Sequence, residues 1–150
     1  MPDTVRFELV SPEKLLLSQE VRMVVVPGGE GYFGVLPGHA LMISTVRPGI
    51  IDVYTGAEVS ERLFVSGGFA EVTPEHCTVL ADEALPLSAL SRGEIEESLK
   101  RADAMIASLH ERLSRLQGVA QEQALAELRA IEGQRALAEA KRAALDAAGS

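Results

Sequence analysis

Beyond Leu90 this sequence contains neither proline nor aromatic residue: the last proline is Pro86 and the last aromatic Phe69. Tryptophan is absent throughout, and Cys77 is the only cysteine, which excludes an intramolecular disulfide and fits a reducing compartment. No apolar run approaches the ~20 residues that a membrane-spanning helix needs, so a soluble or peripheral chain is expected. Positive charge is scarce as well. Residues 1 to 90 carry 5 basic and 12 acidic side chains, residues 91 to 150 carry 9 and 10, and the net charge is −8. With no basic field to displace counterions from phosphates, nucleic acid is excluded as a natural partner. The opening MPDTVRFELV lacks the basic and apolar segments of a signal peptide, and Asp3 and Glu8 argue against a transit sequence.

What is present divides at the same point. Residues 1–88 read as short strands between turn signals, the pattern of an antiparallel sandwich or barrel. Val5, Phe7 and Leu9 alternate with Arg6 and Glu8, a strand with one wet face. Val21 to Val26, Ile50 to Tyr54, Arg62 to Val65, Phe69 to Thr73 and Cys77 to Ala81 follow. They are bounded by Pro27-Gly28-Gly29, Pro37-Gly38, Pro48-Gly49, Ser66-Gly67-Gly68 and Thr73-Pro74.

Gly29-Glu30-Gly31-Tyr32-Phe33-Gly34 satisfies the G-x-G-x-x-G dinucleotide pattern. That fingerprint requires a helix to open at its last glycines, whereas Val35-Leu36-Pro37-Gly38 follows here, so the segment reads as a hairpin. His39, in a turn, reads as a structural or contact residue. His76 and Cys77 are neighbours in an expected strand and point to opposite faces, so they cannot act as a base and thiol pair. The spacing of three histidines and one cysteine offers no zinc site, and Asp82-Glu83 and Glu96-Glu97 read as solvated charge. No catalytic residue, metal ligand or cofactor site is therefore assigned, and an isolated enzyme is not expected.

Residues 89–150 read as two helices. Ser91-Arg92-Gly93-Glu94 fits a capping box that starts the first. Ile95, Leu99, Ala102, Ile106, Leu109, Leu113 and Leu116 recur at four- and three-residue steps and form its seam. Glu96 with Lys100, Glu97 with Arg101, and Glu111 with Arg115 stand at i,i+4. Gly118 is the expected stop, with the second helix starting near Val119 or Ala120. Its seam, Ala124, Leu128, Ile131, Ala138 and Leu145, is weaker because Arg135 and Arg142 occupy stripe positions and Gly133 interrupts the run. The expectation is an antiparallel hairpin whose packed and opened forms differ by only a few kcal/mol, or else a permanently docked hairpin or plain coiled coil.

The segment Gly29 to Ala40, then Arg47-Pro48-Gly49, Ser66 to Val72 and Thr78 to Asp82, with Leu128-Arg129-Ala130-Ile131-Glu132 late in the chain, resembles the epsilon subunit of bacterial F-type ATP synthases. The resemblance implies a β-sandwich of about ten strands followed by two helices, with residues 1–88 binding gamma and the c ring and residues 89–150 regulatory. It implies a non-catalytic rotor subunit that couples c-ring rotation to ATP synthesis, seated peripherally on the cytoplasmic face of the bacterial inner membrane and touching the membrane only through the complex. The helices in that family can extend along gamma toward the α/β catalytic hexamer and inhibit ATP hydrolysis.

By position, the resemblance places Glu30, Gly31 and Tyr32 at the c ring, with Tyr32 where relatives often carry an acid. It places His39, Ala40, Leu41 and Met42 at gamma, with Leu41 in place of a common proline. Leu90 to Ile95 lacks the aspartate, arginine and alanine of the family's ATP-sensing motif, so no ATP binding is expected. The chain continues eighteen residues past Glu132. Arg135, Lys141 and Arg142, with Arg112, Arg115 and Arg129 upstream, are expected to meet acidic loops of the catalytic subunits when the helices extend. The alternative reading is a non-catalytic adaptor of β-sandwich and coiled coil with other partners.

Overall fold

The computed structural model describes residues 3–148, in two compact units divided between Ala89 and Leu90. The first unit contains ten strands: β1 (Val5–Val10), β2 (Leu15–Val21), β3 (Met23–Gly28), β4 (Gly31–Val35), β5 (Met42–Val46), β6 (Gly49–Tyr54), β7 (Val59–Val65), β8 (Gly68–Val72), β9 (His76–Ala81) and β10 (Ala84–Pro86). A short 3-10 turn, Leu87–Ala89, ends it. The strands pair in the order β10-β7-β6-β3-β5-β8-β9-β1-β2, with β4 attached to β3. Every pairing is antiparallel except that of β1 with β9, a difference from the all-antiparallel expectation. A parallel pair needs a long crossover, and nearly the whole unit lies between these two strands.

The pleat sends alternate side chains into one core. Val5, Phe7 and Leu9 from β1 meet Val24 and Val26 from β3, Ile51 and Val53 from β6, and Cys77 and Val79 from β9, all at 1% exposure or less. Phe64 is also fully buried. The Gly29–Gly34 segment is a hairpin, as its glycines and the following turn predict: Gly28 faces Gly31 across the two-residue loop Gly29-Glu30, and no helix follows. Gly31 takes φ of +141°, open to glycine but not to larger residues. His76 is exposed and Cys77 buried, as their alternation requires.

The second unit contains α1 (Arg92–Leu113) and α2 (Gly118–Ala147). Ser91 caps α1, its hydroxyl accepting from the Glu94 amide at 3.3 Å. Two boundaries differ from the sequence expectation. α1 ends at Leu113 rather than running to Gly118, with the Ser114 hydroxyl donating to the Glu111 carbonyl at 2.6 Å and the Leu116 amide bonding back to Leu113. Leu116 still packs on the core, now from the connection. Gly118, at φ of +65°, opens α2 instead of closing α1.

α2 also passes through Gly133 without a break. Its neighbours hold it: Ile131 is buried and Arg135 is ion-paired on both sides. Ala102, Leu109, Ala124, Leu128 and Ile131 form one core near the connection, and Ile95, Leu99 and Ala138 a smaller one toward the start of α1.

Candidate functional site

Two surfaces of the first unit carry the residues that the sequence singled out. At the β3–β4 tip, Glu30 and Tyr32 are exposed and Gly31 half-buried. The Gly29 amide donates to the Thr45 carbonyl at 2.9 Å, and a Cβ at Gly29 would strike the Thr45 hydroxyl, which would have to turn away, so the tip lies close against β5. Tyr32 does not project freely. Its ring lies 5.2 Å from the Arg47 guanidinium, a cation–π arrangement, and a Cβ at Gly49 would stand 3.0 Å from its hydroxyl. Arg47 is thus a tip residue that sequence reasoning had not assigned, since fifteen positions separate it from Tyr32.

The second surface begins at the β4–β5 turn. The Gly38 amide donates to the Pro74 carbonyl at 2.8 Å, and His39 Nδ1 bonds the Ala40 carbonyl at 2.7 Å. These bonds fix the turn and leave Leu41 76% exposed. Beyond it the outer face of the sheet exposes apolar side chains among polar ones, since Ile43 opposes Glu71 and Glu71 opposes Thr78. Ile43 is also 76% exposed, and Phe69 and Leu80 more than half.

The register makes these residues neighbours. Thr45 opposes Phe69, Phe69 opposes Leu80, Leu80 opposes Val10, and Val10 opposes Leu15, giving one row across β5, β8, β9, β1 and β2. Ile43 lies two residues along β5 from Thr45, on the same face. Leu41, Ile43, Phe69 and Leu80 together leave on the order of 400 Å² of apolar surface in water, the scale at which exposed apolar surface is often functional. Near this face the sequence reading assigned only His39, Ala40, Leu41 and Met42, and of these Met42 is half-buried and packs inward against the core, in the opposite phase to Ile43. The available signal was apolar residues in both phases of β8 and β9: Phe69 against Ala70 and Val72, Leu80 against Val79 and Ala81.

The candidates for chemistry stay apart. Burial pushes the Cys77 thiol up to about 12, and no ionised thiol results at neutral pH. Two shallow hollows of about 300 Å³ each are lined by Ser11, Glu13, Lys14 and Asp82 with their neighbours, and by Arg22, Met23, Leu36 and Tyr54. Neither sets a nucleophile beside a base. Among the described residues no three His, Cys, Asp or Glu gather as a metal site, and no helix is long and apolar enough to cross a membrane.

In the second unit Arg112, Arg115 and Arg129 are exposed, and Arg115 is bound to Glu111 at 2.8 Å. Glu96 lies against Arg142 rather than forming the expected pair with Lys100. Arg135, read from sequence as a gap in the apolar stripe, bonds Asp103 at 2.6 Å and Glu139 at 2.7 Å. Those two bonds, Asp103 first, hold its guanidinium more firmly protonated than usual.

Comparison with known proteins gives the context of these surfaces. Residues 4–87 match the family described as ATP synthase, Delta/Epsilon chain, beta-sandwich domain. The chain is 57% identical over 103 residues to the ATP synthase epsilon chain of Rhodospirillum rubrum, covering 69% of this chain and 77% of that one. Over 96 residues it is 67% identical to the epsilon chain of Rhodospirillum centenum, covering 63% and 66%. The match to the epsilon chain of Mesorhizobium japonicum is 37% over 133 residues and spans 89% and 96% of the two chains.

A chain in the cryo-EM structure of the Euglena gracilis mitochondrial ATP synthase, OSCP/F1/c-ring in rotational state 1, shares the fold at a TM-score of 0.72 and 24% identity, covering 97% of this chain and 83% of that one. A β-sandwich matched nearly end to end, and relatives matched on into the helices, establish that this chain belongs to the ATP synthase epsilon chain family.

Proposed function

We propose that this chain is the epsilon subunit of an F-type proton-translocating ATP synthase, a non-catalytic part of the central stalk that couples c-ring rotation to ATP synthesis. The observation that carries the reading is the exposure of Leu41, Ile43, Phe69 and Leu80 on the outer side of β5, β8 and β9: a domain that leaves these side chains in water is built to be covered by a partner. Gamma is that partner, received by this face together with His39, Ala40, Leu41 and Met42.

The c ring meets the β3–β4 tip through Glu30, Gly31 and Tyr32, where the Tyr32–Arg47 stack replaces a carboxylate by an aromatic hydrogen-bonding group under a fixed positive charge. The chain takes up its position as a peripheral subunit at the cytoplasmic face of a bacterial inner membrane. The helical unit restrains ATP hydrolysis when it opens toward the α/β hexamer, with Arg112, Arg115 and Arg129 facing acidic loops there. It takes no ATP of its own, because Leu90 to Ile95 carries Glu94 where a phosphate would need a donor; a low-micromolar dissociation constant by calorimetry would overturn this.

The test is the hydrolysis rate of the cognate complex reconstituted with the full chain or with the chain ended after Leu90. Both forms should bind, and the truncated form should hydrolyse ATP faster. Equal rates with both bound would leave coupling as the function and remove the inhibitory role. Loss of binding by the full chain would remove the stalk reading itself.

A further inference from the structure

The helical unit has two unequal halves. Near the connection, leucines and an isoleucine close a dry seam. Toward the start of α1 the seam thins to Ile95, Leu99 and Ala138, with Leu90 and Leu145 partly buried against them, and charge takes over beside it. Arg92 bonds Asp146 at 2.9 Å, Glu96 faces Arg142 at 3.6 Å, and Asp103 bonds Arg135 at 2.6 Å. The three pairs hold one register. Steps of four and then seven residues forward along α1 are matched by steps of four and seven backward along α2, so all three lie on one flank of the hairpin. Glu139, reached by both Arg135 and Arg142, links two of the rungs.

Every rung on α2 lies beyond Glu132, in the stretch that continues the chain back to the first turn of α1. We propose that residues 135–146 form an electrostatic strap, which closes the far half of the hairpin by charge where the near half is closed by apolar contact. Opening then begins at the strap and is graded by ionic strength rather than by a bound nucleotide. Partly exposed pairs of this kind are individually weak and are screened by salt. Three in register, beside a seam that is itself thin, shift the ratio of open to closed hairpin by a large factor even though none would matter in a deep core. The strap rests on the reading of the hairpin as an opening element, and its test separates the two.

Dyes would be placed on the full chain at Gly93→Cys and Ala143→Cys, both exposed, while buried Cys77 stays unlabelled. Energy transfer between them reports the far end of the hairpin. Raising sodium chloride to 1 M, where the screening length falls to about 3 Å, should increase the open-to-closed ratio roughly tenfold. The Arg135→Gln, Arg142→Gln double variant should show most of that rise already at low salt, leaving a smaller response that belongs to the Arg92–Asp146 pair. Exchanging charges through Asp103→Arg with Arg135→Asp should hold more of the closed form than Arg135→Asp alone, where position 135 would face only the like charges of Asp103 and Glu139. Energy transfer indifferent to salt in the unsubstituted chain, or equal closure in the double variant, overturns the strap. A hairpin that opens as described, without any change in hydrolysis by the complex, upholds the strap and overturns the inhibitory role.

Discussion

Truncating the exposed apolar side chains on the outer sheet face should separate binding from folding. Leu41 and Ile43 are each 76% exposed, so most of the gain from burying them remains to be made when a partner docks. Full burial of such a side chain is worth about 1.5–3 kcal/mol, which leaves roughly 1–2 kcal/mol for each on docking. Leu41→Ala and Ile43→Ala should therefore each weaken binding to a complex lacking this chain by about 5- to 30-fold, at 1.4 kcal/mol per tenfold.

Neither substitution should change the unfolding free energy by more than about 0.5 kcal/mol, because neither removes a core contact. Phe7→Ala is the converse control: at 0% exposure it should cost about 3–5 kcal/mol of stability. Calorimetric titration of each folded variant into the complex, with urea denaturation alongside, gives both numbers. If the Leu41→Ala, Ile43→Ala double variant bound as tightly as the unsubstituted chain, the face would not be the gamma surface.

The interior of the first unit yields two further expectations. Gly68 takes φ of +142°, and a Cβ there would collide with the Leu80 carbonyl, so Gly68→Ala should lower stability by about 3 kcal/mol or more in urea denaturation; a loss below about 1 kcal/mol would show that β8 and β9 can separate freely. Cys77 keeps its proton in the folded state up to about 12, whereas the unfolded thiol loses its proton near 8.5, so its contribution is complete below pH ~8.5 and falls by about 1.4 kcal/mol per pH unit above it. Comparison of unfolding midpoints from pH 8 to 11 between the unsubstituted chain and Cys77→Ala isolates this loss, and identical pH profiles would refute it.

Where local chemistry decided structure, the sequence was legible. Ser91 three residues before Glu94 capped α1 as expected, and Gly28-Gly29-Glu30-Gly31 made the turn that its glycines demanded. β2 was missed because Leu15-Leu16-Leu17-Ser18-Gln19-Glu20 has no clear alternation. It ends the pairing order and is partly exposed from Leu15 to Glu20, with only Val21 fully buried, so little forces a two-residue period on it. The outer apolar face escaped notice for the opposite reason: Phe69 and Leu80 look like core residues until the pleat assigns Ala70 and Val79 to the inside. The Tyr32–Arg47 stack and the pairing of Asp103 with Arg135 depend on register between distant segments, which no local pattern encodes.

The position of Arg135 explains why the helical unit is not simply a weaker version of the sheet unit. A leucine there would have continued the Ile131 and Ala138 stripe and closed the hairpin by burial, which salt does not weaken. The arginine gives up that area and substitutes bonds to Asp103 and Glu139, whose strength depends on the ions around them. In the sheet unit the core is apolar: Phe7, Leu9, Ile51 and Val53 are sealed from water, the Arg6–Glu20 pair lies at the surface, and only Asp52, whose Oδ1 is buried facing Arg62, brings an ion pair partly inside among the described residues. A rotor attachment gains from the first kind of stability, because torque must not deform it. The proposed opening of the helices gains from the second, because two arrangements can be exchanged only when the contacts that separate them are few and adjustable.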